Sequence, residues 1–552
     1  MEFFMFTMTA VGSVPRSLSA STSAESWSKV LFPASTQVLT LQTLLIFLCA
    51  ILITKTIQKQ LLFAKLPPGP KGVPILGFVP YLTKNIHHQL NNLKNQFGST
   101  YKLYFGSQLV VVLTDPKTIR NALKQDAFSS RPENHLIKTF LEGYGVVNAN
   151  GELWKGQRRF LHMKLRQFGM KQMGSGRGQL EQKITAEVHN MIGSLASARN
   201  ESTLDELLSA AISNVISSVT MSVRFDPSNA DFKRFHANIE EGFRLFGLVA
   251  QVGIFPILRY LPSVTSTYEK IRQNKEEMHD FFRTIIKQHK ESFDPEVTRD
   301  IVDAYLLEIY KAQQEGREAV LFNGKDPERQ LCQIMGDLYS AGMETIKTTI
   351  LWALIYMLHH TEVADKVREE MDEVVGRDRL PNLEDLPQLC YTEATIMEVL
   401  RMANTVGLGV IHSADRDTEL DGFLIPKDTQ IIPLSYAVHM SEEHWNNPQE
   451  FNPERFINEE GRVVKPEAFM PFGSGRRMCL GEVMARHEVF LLFTSLLHCF
   501  HFELPPGKSL PSLEPHHIGA TICPEKFEIN FVPRDELSQS LPEVETEVEV
   551  TR

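Results

Sequence analysis

The chain has no surplus of positive charge. Its 57 Lys and Arg are outnumbered by 67 Asp and Glu, for a formal charge of −10, whereas phosphate recognition needs a basic excess. A nucleic-acid partner is therefore excluded for the chain as a whole. Cysteine is scarce: Cys49, Cys332, Cys390, Cys479, Cys499 and Cys523 lie no closer than twenty positions apart. That spacing excludes CxxC zinc pairs and gives no secreted disulfide framework, so reduced thiols in a cytoplasm-facing body are expected. Compositional bias is also lacking. With 43% hydrophobic and 22% charged residues, the 552-residue chain reads as a packed globular protein rather than a fibrous or disordered one.

Long apolar runs are missing too, with one exception. Val38–Ile53 reads VLTLQTLLIFLCAILI without a charge, and residues 38–57 hold only Lys55, which approaches the roughly 17 to 25 residues that span a bilayer. No basic segment abuts the run and no small-residue cleavage site follows it, so an anchor is favoured over a signal peptide or a core helix. Lys55, Lys59, Lys65 and Lys71 follow it, against Arg16 and Lys29 before it, which predicts a single pass with the bulk of the chain cytoplasmic. Residues 1–37 form a Ser/Thr-rich tail. Residues 58–80 contain Leu66-Pro67-Pro68-Gly69-Pro70, a stiff hinge or spacer. Residues 81–535 form the main domain and 536–552 a solvated acidic tail. Within the main domain, Thr100–Phe105 and Leu109–Leu113 flank Gly106-Ser107 as a hairpin, and Asp115-Pro116 caps a helix. From Glu152 to about Met402 the periodicity is helical, including a proline-free stretch, Glu328–His359, roughly 48 Å long. The fold class is mainly α with small β-sheets.

Phe472-Gly473-Ser474-Gly475-Arg476-Arg477-Met478-Cys479-Leu480-Gly481 carries the clearest chemistry. A lone cysteine is usually a small buried hydrophobe, but this one follows a glycine-containing loop and precedes an apolar helix. Backbone N–H groups at such a terminus lower a thiol pKa and suit it to bind metal. Gly475 and Gly481 leave room for a large flat ligand, and Arg477 supplies a cation for an acidic group. Glu398 and Arg401 stand at i and i+3 on one helical face, as an ion pair requires. Gly342 lies in the middle of the long helix, where Gly is about 1 kcal/mol worse than Ala, and close helix packing would explain it.

On these motifs the sequence resembles the cytochrome P450 superfamily of haem-thiolate monooxygenases, over nearly all of residues 60–535. The resemblance implies the P450 fold, haem b with Cys479 as the axial thiolate on iron, Phe472 over the sulfur, and Arg477 on a haem propionate. It adds Trp154, Arg158 and His412 as further propionate partners. It implies that Ala341 and Gly342 open a groove for O2 while Thr345 and Glu344 manage protons, and that Glu398, Arg401 and Arg455 form a structural charge network. NADPH would act through a separate flavoprotein reductase, with cytochrome b5 as a further partner, at the endoplasmic reticulum membrane. Seven basic residues without an acid between Lys155 and Arg177 (Lys155, Arg158, Arg159, Lys164, Arg166, Lys171, Arg177) would steer the reductase. Where many relatives have proline six residues after the ExxR arginine, this chain has Gly407.

The segments Ala341–Thr349, Leu153–His162 and Leu165–Met170 are similar to arthropod ecdysteroid 26-hydroxylases. That implies a lipophilic polyhydroxylated steroid, 20-hydroxyecdysone, oxidised at its terminal side-chain carbon. Another steroid, a terpenoid or a xenobiotic fits the same motifs, as do a haem-thiolate isomerase and a non-catalytic steroid-binding protein.

Overall fold

A computed structural model of the chain describes residues 64–171, 177–197, 204–226, 229–534 and 550–551, with isolated positions 43, 44, 46, 47, 50 and 54. Contacts divide the chain into Met1–Leu66 and Pro67–Arg552. Most of the run expected to anchor the chain, residues 38–57, and the tail residues 535–549 and 552 lie outside the described residues. Among the described residues no helix is long and apolar enough to cross a membrane.

The hairpin forms where the β-rich runs and the Gly106 turn place it. β1 (Thr100–Phe105) pairs antiparallel with β2 (Gln108–Leu113). β2 then runs parallel to β4 (Gln430–Pro433), and β3 (His412–Ser413) closes the order β1-β2-β4-β3. The proline-rich segment is no free spacer from Pro67 onward. Lys102 N–H donates to Pro68 O at 2.8 Å and Phe78 N–H to Tyr104 O at 2.6 Å, because the outer edge of β1 needs partners that a free linker would not supply. Asp115 caps α1 (Pro116–Lys124), its side chain accepting from Thr118 N–H, as Asp followed by Pro at the first helical position requires.

The helices that frame the site are α2 (Gly151–Gln167), α3 (Arg177–Ser197), α4 (Leu204–Thr220), α5 (Ala230–Leu248), α6 (Pro327–His359), α7 (Cys390–Ala403) and α8 (Glu482–Cys499). α6 runs 33 residues, with Asp326 accepting from Arg329 N–H and Pro327 at its first turn. From Ile346 to Leu358 almost every residue is buried, as expected of a helix that is apolar all round. Asp337–Thr345 departs from that pattern: Ala341 is exposed, and Asp337, Leu338, Ser340, Gly342, Glu344 and Thr345 are partly so. A helix crossing the core can expose its middle only to an internal space.

Beneath this helix lies a charge knot whose centre, Glu398 and Arg401, is fully buried. Arg401 Nε and Nη2 donate to the two oxygens of Glu398 at 2.7 and 2.8 Å, and Arg455 Nε adds a third bond at 3.0 Å. Arg401 Nη1 goes on to His439 O (2.7 Å) and Pro448 O (2.8 Å). The i,i+3 pair is thus neither exposed nor isolated. One carboxylate is shared by two guanidiniums, and the spare donors go to carbonyls, which is what lets such a cluster be tolerated away from water. The buried His439 ring spans the same knot, with Nδ1 2.7 Å from Asn404 Oδ1 and Nε2 accepting from Met470 N–H at 3.1 Å. That pattern requires a neutral ring protonated on Nδ1.

Burial, followed by the Arg401 charge, pushes His439 down to about 3, against about 6.5 in an unfolded chain. The folded value is the lower one, so the unfolded chain takes the proton first. Stability held above pH ~6.5 should therefore decline as pH falls toward 3. His439→Gln should make that acid slope shallower by up to one proton in urea titrations. A slope unchanged by the substitution would mean that His439 titrates alike in both states.

Candidate haem-thiolate site

The cysteine loop is closed by its own backbone, Cys479 N–H donating to Phe472 O at 3.0 Å, with a short 3-10 turn at Gly475–Arg477. α8 begins three residues after the cysteine. Cys479 has accessible surface yet is crowded by protein atoms, the mark of a side chain facing a concavity rather than bulk solvent. Crowding pushes the thiol up, Glu482 adds to this, and the Gly481 N–H and Arg158 oppose it without prevailing. The expectation that the helix start lowers the thiol pKa is therefore corrected. Desolvation outweighs one N–H and one partly screened cation, so the thiolate needs a further positive charge, such as a metal ion, to persist.

Around this loop the structure gathers cations. Arg131 is buried and donates to Val147 O (3.2 Å), Val410 O (3.0 Å) and Ile411 O (3.0 Å). Arg477 donates to Ser129 O (2.7 Å), Val146 O (3.2 Å), Val147 O (3.3 Å) and Ala149 O (2.6 Å), and its guanidinium stacks 3.9 Å from the Trp154 ring centroid. Arg158, one turn beyond Trp154 on α2, donates to Met478 O at 2.5 Å. Among the described residues none of the three has an acidic side chain in ion-pair reach. Burial and the neighbouring guanidiniums lower Arg131 to about 9 and Arg477 to about 8. His412 on β3 faces the same charges. Its Nδ1 lies 2.7 Å from Phe128 O, and burial with Arg131 and Arg477 pushes the ring down to about 3.

Trp154 Nε1 is buried and without a partner. An unsatisfied N–H beside three uncompensated guanidiniums is costly unless an anion is bound there. A single thiol flanked by donors for anionic groups suits a haem with an axial thiolate and two propionates, so the residues present fit that cofactor.

The loop 145–150 joins these donors to α6. Val146 N–H and Val147 N–H donate to Asp337 Oδ2 at 2.7 and 2.9 Å, while Gln330 exchanges two bonds with Gly145. Arg131, Asp337 and this loop were not identified from sequence. No spacing rule marks them, because their partners are backbone groups distant in sequence, carbonyls for Arg131 and N–H groups for Asp337.

Three sequence readings change. Gly475 has φ +72°, and a Cβ there would fall onto the Leu123 carbonyl of α1; it serves protein packing rather than ligand approach. Gly481, by contrast, has open space where its Cβ would be. Gly342 faces α4, its notional Cβ 2.5 Å from Ile216 Cδ1, so close helix packing accounts for it and Ala341 is the residue that faces open space. Glu344 and Thr345 take different partners: Thr345 Oγ1 donates to Ala341 O at 2.8 Å, while Glu344 accepts from Thr521 and Cys523. Phe472 is partly buried, with the Arg486 guanidinium 4.8 Å from its ring centroid. Gly407 follows α7, its notional Cβ 2.8 Å from Ile522 Cδ1.

The basic stretch is not a row of free charges. Lys155 pairs with Glu152 (2.9 Å) and Asp126 (3.9 Å), Lys164 Nζ lies 3.4 Å from Gln167 Oε1, and Arg158 turns inward. Exposed Arg159 and Arg166 remain on the outer face of α2.

The profile of the family Cytochrome P450 matches residues 67–531. Cytochrome P450 18a1 of Drosophila melanogaster is 49% identical over 466 residues, 84% of this chain and 86% of that protein. Cytochrome P450 2U1 of Homo sapiens is 37% identical over 85% of this chain and 89% of its own length. Cytochrome P450 2B4 of Oryctolagus cuniculus is 32% identical over 89% and 99%.

Gly475→Ala should test the packing assignment. The added methyl meets backbone in a left-handed conformation, so a loss of about 2 kcal/mol or more is expected in denaturant unfolding. Gly481→Ala, with open space at its Cβ, should cost far less. Equal losses would sink the distinction.

Proposed function

The chain belongs to the cytochrome P450 family, and on that premise we propose that it hydroxylates an ecdysteroid, 20-hydroxyecdysone, at the terminal side-chain carbon C26, inactivating the hormone. The class of reaction is the family's, haem-thiolate monooxygenation with O2 and with NADPH acting through a reductase. When bound, the haem iron supplies oxygen activation, so that one oxygen atom enters a C–H bond and the other leaves as water.

The substrate class rests on the 49% identity to the fly protein across 84% of the chain, together with the likeness of residues 341–349, 153–162 and 165–170 to arthropod ecdysteroid 26-hydroxylases. In this reading Cys479 would hold the haem iron through its sulfur, and Phe472 would shield that sulfur. Trp154 Nε1, Arg158, Arg477, Arg131 and His412 would hold the propionates, which would account for donors assembled without a carboxylate. Thr345 holds a proton at its Oγ1 beside the opened stretch of α6, and Glu344 exchanges protons from its carboxyl. A terminal methyl has no intrinsic advantage over weaker secondary C–H bonds, so regiochemistry must come from clamping the steroid, and its hydroxyls give buried polar groups something to select.

The apolar run at residues 38–57 supports a single-pass anchor in the endoplasmic reticulum membrane with a cytoplasmic catalytic domain. Exposed Ile75, Leu76, Ile257, Tyr260 and Leu261 support lipid contact by that domain. They come from neighbouring loops: Gly106 N–H donates to Leu76 O at 3.1 Å, and the notional Cβ of Gly106 is 2.9 Å from Ile254. Arg159 and Arg166, exposed on the outer face of α2, would meet an acidic reductase surface, or cytochrome b5 as a further electron donor.

Cys479→Ala should abolish the reduced carbon-monoxide absorption band of a thiolate-ligated haem. A normal band in that variant would remove Cys479 from the ligand role. The substrate is tested with purified enzyme, reductase and NADPH against a panel of hydroxylated steroids, terpenoids and xenobiotics, with the product located by mass spectrometry and NMR. A 26-hydroxylated ecdysteroid is expected; ring hydroxylation, or turnover of a terpenoid alone, would overturn the substrate and leave the monooxygenase standing.

A further inference from the structure

Glu344, Thr348 and Trp352 stand at i, i+4 and i+8 on α6 and so share one face of the helix. Between them they meet three successive residues, Thr521 to Cys523, of a hairpin late in the chain, β5 (His517–Ile518) and β6 (Ile522–Cys523). Glu344 Oε1 accepts from Thr521 Oγ1 at 3.2 Å and from Cys523 Sγ at 3.5 Å. Thr348 Oγ1 lies 3.8 Å from Cys523 Sγ, and Trp352 Nε1 donates to Ile522 O at 2.8 Å. The hairpin is held from its other side as well. Ile522 N–H donates to Thr405 O at 2.9 Å, and the Thr405 hydroxyl is 3.2 Å from that of Thr349.

The nearest cation along the helix cannot take over this role. Lys347 is buried and committed to Asp205 at 3.0 Å and to Glu240, from α4 and α5. Thr345 is turned about 100° around the helix from Glu344 and spends its proton on Ala341 O. The carboxyl expected to exchange protons is therefore oriented by the hairpin and not by the hydroxyl next to it in sequence.

We propose that Thr521 and Cys523 are positioning residues that hold the Glu344 carboxyl in one orientation and thereby set how efficiently protons are delivered in the reaction. The proposal rests on the reading of Glu344 as a proton-exchanging group. Thr521 is buried, so its hydroxyl donates to the carboxylate without competing water. Burial raises the Glu344 carboxyl above its ordinary range, while Lys347, Cys523 and Thr521 oppose the rise and Glu240 adds to it. The two hairpin contacts fix the orientation of that carboxyl, and so where a proton on it would point.

The test uses the haem-loaded full chain with reductase and substrate, comparing Thr521→Val, Cys523→Ala, the double variant and Thr521→Ser. Two quantities are read: product formed per NADPH, and the carboxyl stretching band of Glu344 in infrared difference spectra, identified by its loss in Glu344→Gln. Thr521→Val should lower product per NADPH about three- to tenfold, the range expected for loss of one hydrogen bond. It should also shift the carboxyl band while the reduced carbon-monoxide band persists. Thr521→Ser should restore both. Unchanged coupling and an unshifted carboxyl band in the double variant would overturn the proposal. So would loss of the carbon-monoxide band in Thr521→Val and Thr521→Ser alike, which would make the hairpin a packing element. A wild-type enzyme that oxidises some other substrate defeats the ecdysteroid assignment only, since the infrared band reports on Glu344 whatever the substrate.

Discussion

Three guanidiniums, Arg131 buried and Arg158 and Arg477 partly so, are gathered without a carboxylate, and much of the architecture around the cysteine loop makes that tolerable. Arg131, Arg158 and Arg477 are solvated by main-chain carbonyls from residues 129, 146, 147, 149, 410, 411 and 478. Those carbonyls can face inward only because something else satisfies the backbone of the same loop. Asp337 and Gln330 of α6 do so for residues 145–147. The long helix thus has two functions along one stretch. It opens its middle to an internal space, and it fastens the loop whose carbonyls keep the arginines in place.

The Glu398–Arg401–Arg455 knot is the opposite solution to the same problem. There a carboxylate sits between the guanidiniums and the spare donors meet carbonyls, so no donor is left for a ligand. The contrast separates a structural charge cluster from a binding one more sharply than charge counting could. Both are buried and rich in arginine, and only one contains the acid that completes it.

The sequence was legible where chemistry is local. The hairpin at residues 100–113, the cap at Asp115, the extent of the long helix to His359 and the pairing of Glu398 with Arg401 follow from neighbours within a few positions. Cys479, Trp154, Arg158, Arg477 and His412 each belong to a recognisable motif or spacing; the structure places Arg158, Arg477 and His412, like Arg131, against main-chain carbonyls and stacks Trp154 on Arg477. What could not be read depends on distant partners. Gly475 answers to a carbonyl on α1, Gly342 to Ile216 on α4, and Glu344 to a hairpin some 177 positions away. The direction of the Cys479 shift was misjudged for the same reason: local geometry supplies an N–H, whereas desolvation comes from the whole fold.

The parallel pairing of β2 with β4 joins Val110–Leu113 to Gln430–Pro433, and the side chain of Gln108 bonds Asp428 across 320 positions. Arg477 reaches Ser129 across 348. A ribosome therefore releases the first half of the arginine site long before the second, and the sheet that aligns the halves cannot close until nearly the whole chain has emerged. Contacts of such range are slow to form and leave strand edges and apolar helix faces open meanwhile. The chain thus spends its synthesis with Arg131 and Trp154 lacking their later neighbours, and early termination anywhere before residue 430 yields a fragment whose β2 edge is unpaired and open to aggregation.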